Sequence, residues 1–308
     1  VATHGRGFWI MDNISSLRSI TPEVASAPVH LFEVAPAVRR LRGGRGWTQA
    51  GPGEAANNPP SGVVIEYYLA EEPAGDVMLT IMDGGGEVIR EFSSASEGHR
   101  SPSTAAGTSR FLWDMRYPGA ELPPPAGALG GFQSVDHSPP APPIVVPGRY
   151  AVRLSVDGQE YEQPFEIRKD PRVRASDADL RAQFELMVDV QDRFAEVVGA
   201  LIRTREVRAR VEQRRAESPE GSRAEADGVL ERLKEIEGIL AIEMGSEAHP
   251  MMWGPPGLTE KLSTLSGAVG AADARPTESM YAVFEDLSER FEVQRNRLNQ
   301  IVEGGQLQ

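Results

Sequence analysis

At Asp170-Pro171 the spacing of apolar residues changes from every second position to a repeat of about 3.6, the period of an α-helix. No single regular element accommodates both patterns. The chain is therefore read as α+β and multidomain, with a β-rich part before the proline and a helical part after it. From Val63 to about Ile167, the stretches VVIEYYLA, DVMLTIMD, EVIREF and SRFLWDMRY are short and rich in β-branched and aromatic residues, as strands are. Asp83-Gly84-Gly85-Gly86 supplies positive-φ positions for a hairpin between two of them. In GRYAVRLSVDGQEYEQPFEI the signal is clearest. Tyr150, Val152, Leu154 and Val156 alternate, Asp157-Gly158 turns, and Tyr161, Phe165 and Ile167 return on one face. These strands predict a β-sandwich over residues 61–170, each sheet burying one face. The proline-rich stretch 118–147 is expected as a long irregular surface loop, since its prolines cannot donate to a ladder or continue a helix.

Beyond Asp170, Ser176 reads as an N-cap with Asp177 and Asp179 in the first turn. Leu180, Phe184, Met187, Phe194, Val197, Leu201 and Val211 then mark one very long helix ending near Ser218-Pro219. Val229, Leu233, Ile236 and Leu240 mark a second helix, and Leu258, Leu262, Leu265 and Val269 a shorter third. Thr277 opens a fourth that carries Tyr281, Phe284, Leu287, Phe291, Leu298 and Ile301. Four amphipathic helices with charged outer faces predict an antiparallel four-helix bundle over residues 171–308.

The formal net charge of −13 argues against nucleic acid as a partner, because the phosphate backbone repels such a surface. No apolar run approaches the roughly 18–20 residues that span a bilayer, so no membrane span is expected. With no cysteine, disulfides, thiol nucleophiles and zinc ribbons are removed together. His4, His30, His99, His137 and His249 have no metal-ligand spacing, and neither a P-loop nor a G-x-S-x-G elbow occurs. No metal and no cofactor are expected.

Three groups of charged residues remain. Glu66, Glu71, Glu72 and Asp114 are the carboxylates nearest the strands, and exposed strand edges account for all four better than glycoside chemistry does. Arg39, Arg40, Arg42 and Arg45 are read as a solvated strand edge, with an anion grip as the alternative. Arg203, Arg205, Arg208, Arg210, Arg214 and Arg215 crowd the end of the long helix, where cations complement the helix dipole and pair along the surface, with docking of an anionic partner as the alternative.

The opening VATHGRGFWIMDN is a β-prone, glycine-punctuated segment expected to form one strand without a partner before it. THGRGFWIMDN with the following ISSLR resembles the closing blade strand of sortilin-like β-propellers in secreted bacterial proteins of the BNR-repeat type. HLFEVAPAVRRLR resembles the connecting strand that follows there. SRFLWDMRYPGA and PGRYAVRLSVDGQEYEQPFEIRKDPRV resemble the Ig-like module seen after the propeller.

The resemblance implies a division into a propeller-closing strand (1–20), a connecting strand and linker (21–60), an Ig-like sandwich (61–170) and a helical region. It also implies a secreted or periplasmic setting and, as partner, a propeller domain preceding Val1, so that the chain is the C-terminal part of a longer protein. His4, Arg6 and Asp12 would then be candidates for lining the propeller channel. Structural closure, with Gly5 and Gly7 closely packed and Trp9 in the core, is the favoured alternative. Family members are often labelled glycosyl hydrolases. That label rests on the propeller, and the Asp-box turn S-x-D-x-G-x-T-W does not occur here, so no catalytic residue carries over.

The expected function is therefore a non-catalytic accessory region. The rivals are a contribution, from loop 118–147, to a glycosidase-like site, or carbohydrate or protein binding by the Ig-like module. The last requires Trp47, Trp113 and Trp253 to share an exposed face.

Overall fold

The computed structural model describes residues 2–3, 7–8, 14–40, 62–96, 101–119, 139–217, 219, 223–241 and 256–304. The architecture is mixed α and β, and its elements fall into two units. One comprises Val1–Tyr117 with Ile144–Asp177, and the other Pro118–Pro143 with Ala178–Gln308.

At the start, β1 (Ala2–Thr3) pairs antiparallel with β2 (Gly7–Phe8), with Ala2 opposite Phe8. Where one strand was expected over 1–13, the described residues are these two short strands, which form a sheet of their own. Two short helices follow, α1 (Ser15–Arg18) and α2 (Pro22–Ser26). The second is begun by Thr21, whose hydroxyl accepts from the Val24 amide at 3.4 Å, and by Pro22 in the first turn.

The larger strands are β3 (Val29–Leu31), β4 (Ala37–Arg39), β5 (Val63–Leu69), β6 (Met78–Asp83), β7 (Val88–Ser93), β8 (Gly107–Trp113), β9 (Gly148–Val156) and β10 (Gln159–Lys169). They form a five-stranded sheet in the order β4-β10-β9-β6-β7 and a three-stranded sheet in the order β3-β5-β8. The β9–β10 hairpin turns at Asp157 (φ 47°) and Gly158 (φ 78°), the two positive-φ positions that a tight hairpin requires. In β6–β7 the Asp83 carboxylate accepts from the Gly85 and Glu87 amides at 2.8 and 2.9 Å, which closes the glycine turn.

The inward residues of the two sheets form one core. Ile65, Tyr67 and Phe111 come from the smaller sheet, and Leu79, Ile81, Val152, Leu154 and Ile167 from the larger. Fully burying such a side chain stabilises by about 1.5–3 kcal/mol before entropy opposes it. At the centre Trp113 is 1% exposed and stands edge-on to Tyr150 and Phe165, with centroids 6.2 Å away in each case. Its indole N–H donates to the Arg116 carbonyl at 3.2 Å.

Residues 29–39, expected as connector, belong to the sheets. β3 pairs antiparallel with β5, and β4 pairs parallel with β10. Leu31, Val34 and Ala37 join the same core, which is the physical reason these short segments dock. The sheet unit therefore starts well before residue 61. The expected surface loop also ends early. Ile144 and Val145 are buried, and the Val145 amide donates to the Met115 carbonyl at 2.8 Å. The stretch 120–138 lies outside the described residues.

The long helices are α3 (Asp177–Glu217), α4 (Arg223–Leu240), α5 (Leu258–Val269) and α6 (Glu278–Glu303). They bury a single apolar cluster drawn from all four, including Phe194, Val197 and Leu201, Leu233 and Ile236, Leu262, and Phe291 and Leu298. Thr277 precedes α6 in an extended conformation and its carbonyl accepts from the Met280 amide at 2.9 Å, while its side chain makes no capping bond.

Polar ties cross between these helices. Buried Gln183 donates to the Val269 and Ala272 carbonyls at 2.7 and 2.5 Å, satisfying the C-terminal end of α5. Arg205 and Arg208 of α3 both grip Glu237 of α4, the former at 2.6 Å. Arg215 pairs with Asp227. Much of the expected arginine cluster thus faces carboxylates of the neighbouring helix. No helix among the described residues is long and apolar enough to cross a membrane.

Candidate functional site

His4, Arg6 and Asp12, the channel-lining candidates, lie outside the described residues, as do Gly5, Trp9, Trp47, Trp253, Arg42, Arg45, His99, His137 and His249. His30 is half-buried and packs edge-on to Phe32 with centroids 4.8 Å apart. Among the described residues no group of three or more His, Asp or Glu side chains is placed to hold a metal ion.

Glu71 and Glu72 are exposed, and Asp114 is half-buried with its carboxylate accepting from the Arg116 amide at 3.3 Å. Glu66 differs from the exposed edge residue expected. It is 8% exposed, because its position in β5 falls among a run of buried residues. One carboxylate oxygen accepts from Nε and a terminal nitrogen of Arg110, directly across in β8, at 2.8 and 2.7 Å. Arg39 differs in the same way. It is buried in β4 and its Nε donates to the Val145 carbonyl at 3.1 Å, so it is a structural tie, while Arg40 next to it is exposed.

Asp170, at the end of β10, is also buried. It accepts from Arg172 through both carboxylate oxygens, at 3.0 and 2.6 Å, and Arg40 stands 3.9 Å away. The Arg172 guanidinium and backbone amide, with Arg40 assisting, hold its carboxyl well below the usual aspartate range. In the helical unit Asp189 shifts the other way. Burial, reinforced by Asp192 and Glu185, raises it.

A groove of about 710 Å³ lies between α5 and α6. The short connection from Val269 to Glu278 makes these helices antiparallel neighbours. The floor is apolar: Leu265 and Leu287 are buried, while Val283 remains 45% exposed at the mouth.

The polar groups sort to the two ends. Thr277 and Ser279 lie near the connection, and Lys261, Asp286 and Arg290 at the far end. Asp286 and Arg290 pair with each other at 2.9 Å. Thr264 donates its hydroxyl proton to the Glu260 carbonyl at 2.8 Å. Lys261 has no ion-pair partner among the described residues. Sequence reading did not find this groove. In the sequence Lys261 is one more charge on an amphipathic helix, and the groove depends on how two helices register.

No protein-family model matches the chain, and no curated protein matches it either.

Proposed function

We propose that the chain is a non-catalytic accessory region, giving support or an interaction surface to a sortilin-like propeller domain in a secreted or periplasmic protein. In this reading the two sheets are an Ig-like sandwich, the four long helices an antiparallel bundle, and the partner is the propeller that the THGRGFWIMDN motif resembles.

The observation that carries the non-catalytic role is the state of the buried carboxylates. Glu66 is tied to Arg110 across the sheet, and Asp170 is held by Arg172 and Arg40, which keep its carboxyl well below the usual aspartate range. Glycoside hydrolysis needs two carboxyl groups facing across a cleft, one of them with a raised pKa. Glu66 stands inside a strand and Asp170 in a joint beyond another, and the α5–α6 groove contains a single carboxylate, itself paired with Arg290.

The enzymatic alternative places residues of loop 118–147 in a glycosidase-like site on the propeller. Chromogenic glycosides assayed with the native protein, and with a version whose residues 120–138 are replaced by a short Gly-Ser linker, separate the two. Equal kcat/KM supports the accessory role, and loss of turnover with retained folding supports the enzymatic one. Recognition of carbohydrate by an aromatic face is disfavoured, because Trp113, one of its three required aromatics, is buried beneath Tyr150 and Phe165.

A further inference from the structure

We propose that the α5–α6 groove is a binding site for an amphipathic monoanion, an acyl chain of medium length ending in one carboxylate. The groove's volume of about 710 Å³ falls within the roughly 300–1,000 Å³ of small-molecule sites. Its α6 wall runs from Ser279 to Arg290, about 16 Å at 1.5 Å per residue. Between the polar ends the lining is Leu265, Ala268, Met280, Val283 and Leu287, with Thr264, whose hydroxyl proton is already donated to the Glu260 carbonyl. Water against such a wall lacks hydrogen-bond partners, so an acyl chain gains by displacing it.

Charge selects the head group. Arg290 is balanced by Asp286, whereas Lys261 has no described carboxylate within ion-pair distance, so the three charges sum to one positive. That surplus cation stands out in a chain of net charge −13. A carboxylate beside the Lys261 ammonium makes a charge-assisted hydrogen bond that the apolar walls shield from solvent. Asp286 at the same end opposes a second negative charge, which disfavours di- and triphosphates. A second copy of this acidic chain would bring net repulsion, and a cationic amphiphile would meet Lys261 directly.

The test uses the whole chain, titrated by calorimetry with sodium dodecanoate below its micelle-forming concentration, and in parallel with dodecyltrimethylammonium. The expected result is saturable one-to-one binding of dodecanoate and at least tenfold weaker binding of the cation. Lys261→Gln should weaken dodecanoate binding about tenfold or more, the loss expected for a charge-assisted hydrogen bond, and Lys261→Arg should restore most of it. Val283→Trp, at a half-exposed position that tolerates a larger side chain, should fill the groove and abolish binding.

Circular dichroism melts establish that each variant is folded. If one is not, the comparison of the two amphiphiles on the unaltered chain still decides. The proposal is overturned by absence of saturable dodecanoate binding, by equal binding of the cation, or by Lys261→Gln and Val283→Trp both binding like the unaltered chain. It is also overturned if sedimentation shows Val283→Trp dissociating a dimer, for then the groove is covered by a second copy.

Discussion

The Glu66–Arg110 pair offers a measurement in which a structural and a catalytic carboxylate behave differently. The two residues face each other across β5 and β8, with the Glu66 side chain buried and that of Arg110 47% exposed. The asymmetry of exposure sets an asymmetry of cost. Glu66→Gln removes the charge but keeps an oxygen that accepts from the guanidinium, and the half-exposed cation left behind is solvated. The expected loss is about 1 kcal/mol. Arg110→Ala leaves the buried Glu66 carboxyl group in the sheet with neither of its two hydrogen bonds. Breaking a fully buried pair costs about 3–5 kcal/mol. Solvent screening at the exposed guanidinium reduces that here to about 2–3 kcal/mol. Urea denaturation of both single variants and the double variant, followed by far-UV circular dichroism, gives the cycle, with an expected coupling of at least about 1 kcal/mol. If Arg110→Ala costs no more than Glu66→Gln, or the coupling is within error of zero, Glu66 is not held as described and its burial needs another cause.

Asp170, whose carboxyl is depressed by Arg172, stabilises the fold while ionised. That contribution is complete above the unfolded aspartate pKa of about 3.9 and is lost as pH falls through the lower folded value. Asp170→Asn should therefore lower Tm at pH 7 and flatten the dependence of Tm on pH below about 4, as thermal melts at pH 7 and pH 3 will show. Asp189 has the opposite sign, because its folded pKa is raised and stability falls as pH rises through the window above the ordinary value. Asp189→Asn should raise Tm at pH 7, with the gain vanishing in acid. At Gly257 an added Cβ would stand 2.5 Å from the Ala241 Cα and 2.7 Å from its amide nitrogen. Gly257→Ala should cost about 1–3 kcal/mol through overpacking alone, read as a fall in the urea midpoint at unchanged m-value.

Much of this architecture was legible in the sequence where an element is long enough to show its period. The buried alternation of β9 and the buried stripe of α6 both exceed one full repeat, and Asp157-Gly158 names its turn type by chemistry. The three-residue strands β3 and β4 carry too few positions for a period of two to register, and their place is set by partners far along the chain. Buried charge was illegible for the same reason. Arg39 reaches a carbonyl 106 residues away and Glu66 a guanidinium 44 residues away, so composition alone assigned both to solvent. The opening segment shows the complementary error. Where one continuous strand was expected, its described residues are two short strands, with Thr3 paired to Gly7. The groove could not be seen in advance, because Lys261, with no ion-pair partner among the described residues, becomes distinctive only once Asp286 and Arg290 are found balancing each other.

The accessory role rests on the likeness of THGRGFWIMDN to a propeller-closing strand, and the coding sequence immediately upstream of the Val1 codon tests it most directly. The account predicts an uninterrupted reading frame encoding successive four-stranded blades with Asp-box turns, preceded by an export signal. A frame that opens at or just before Val1, or that continues into a sequence without such repeats, contradicts it.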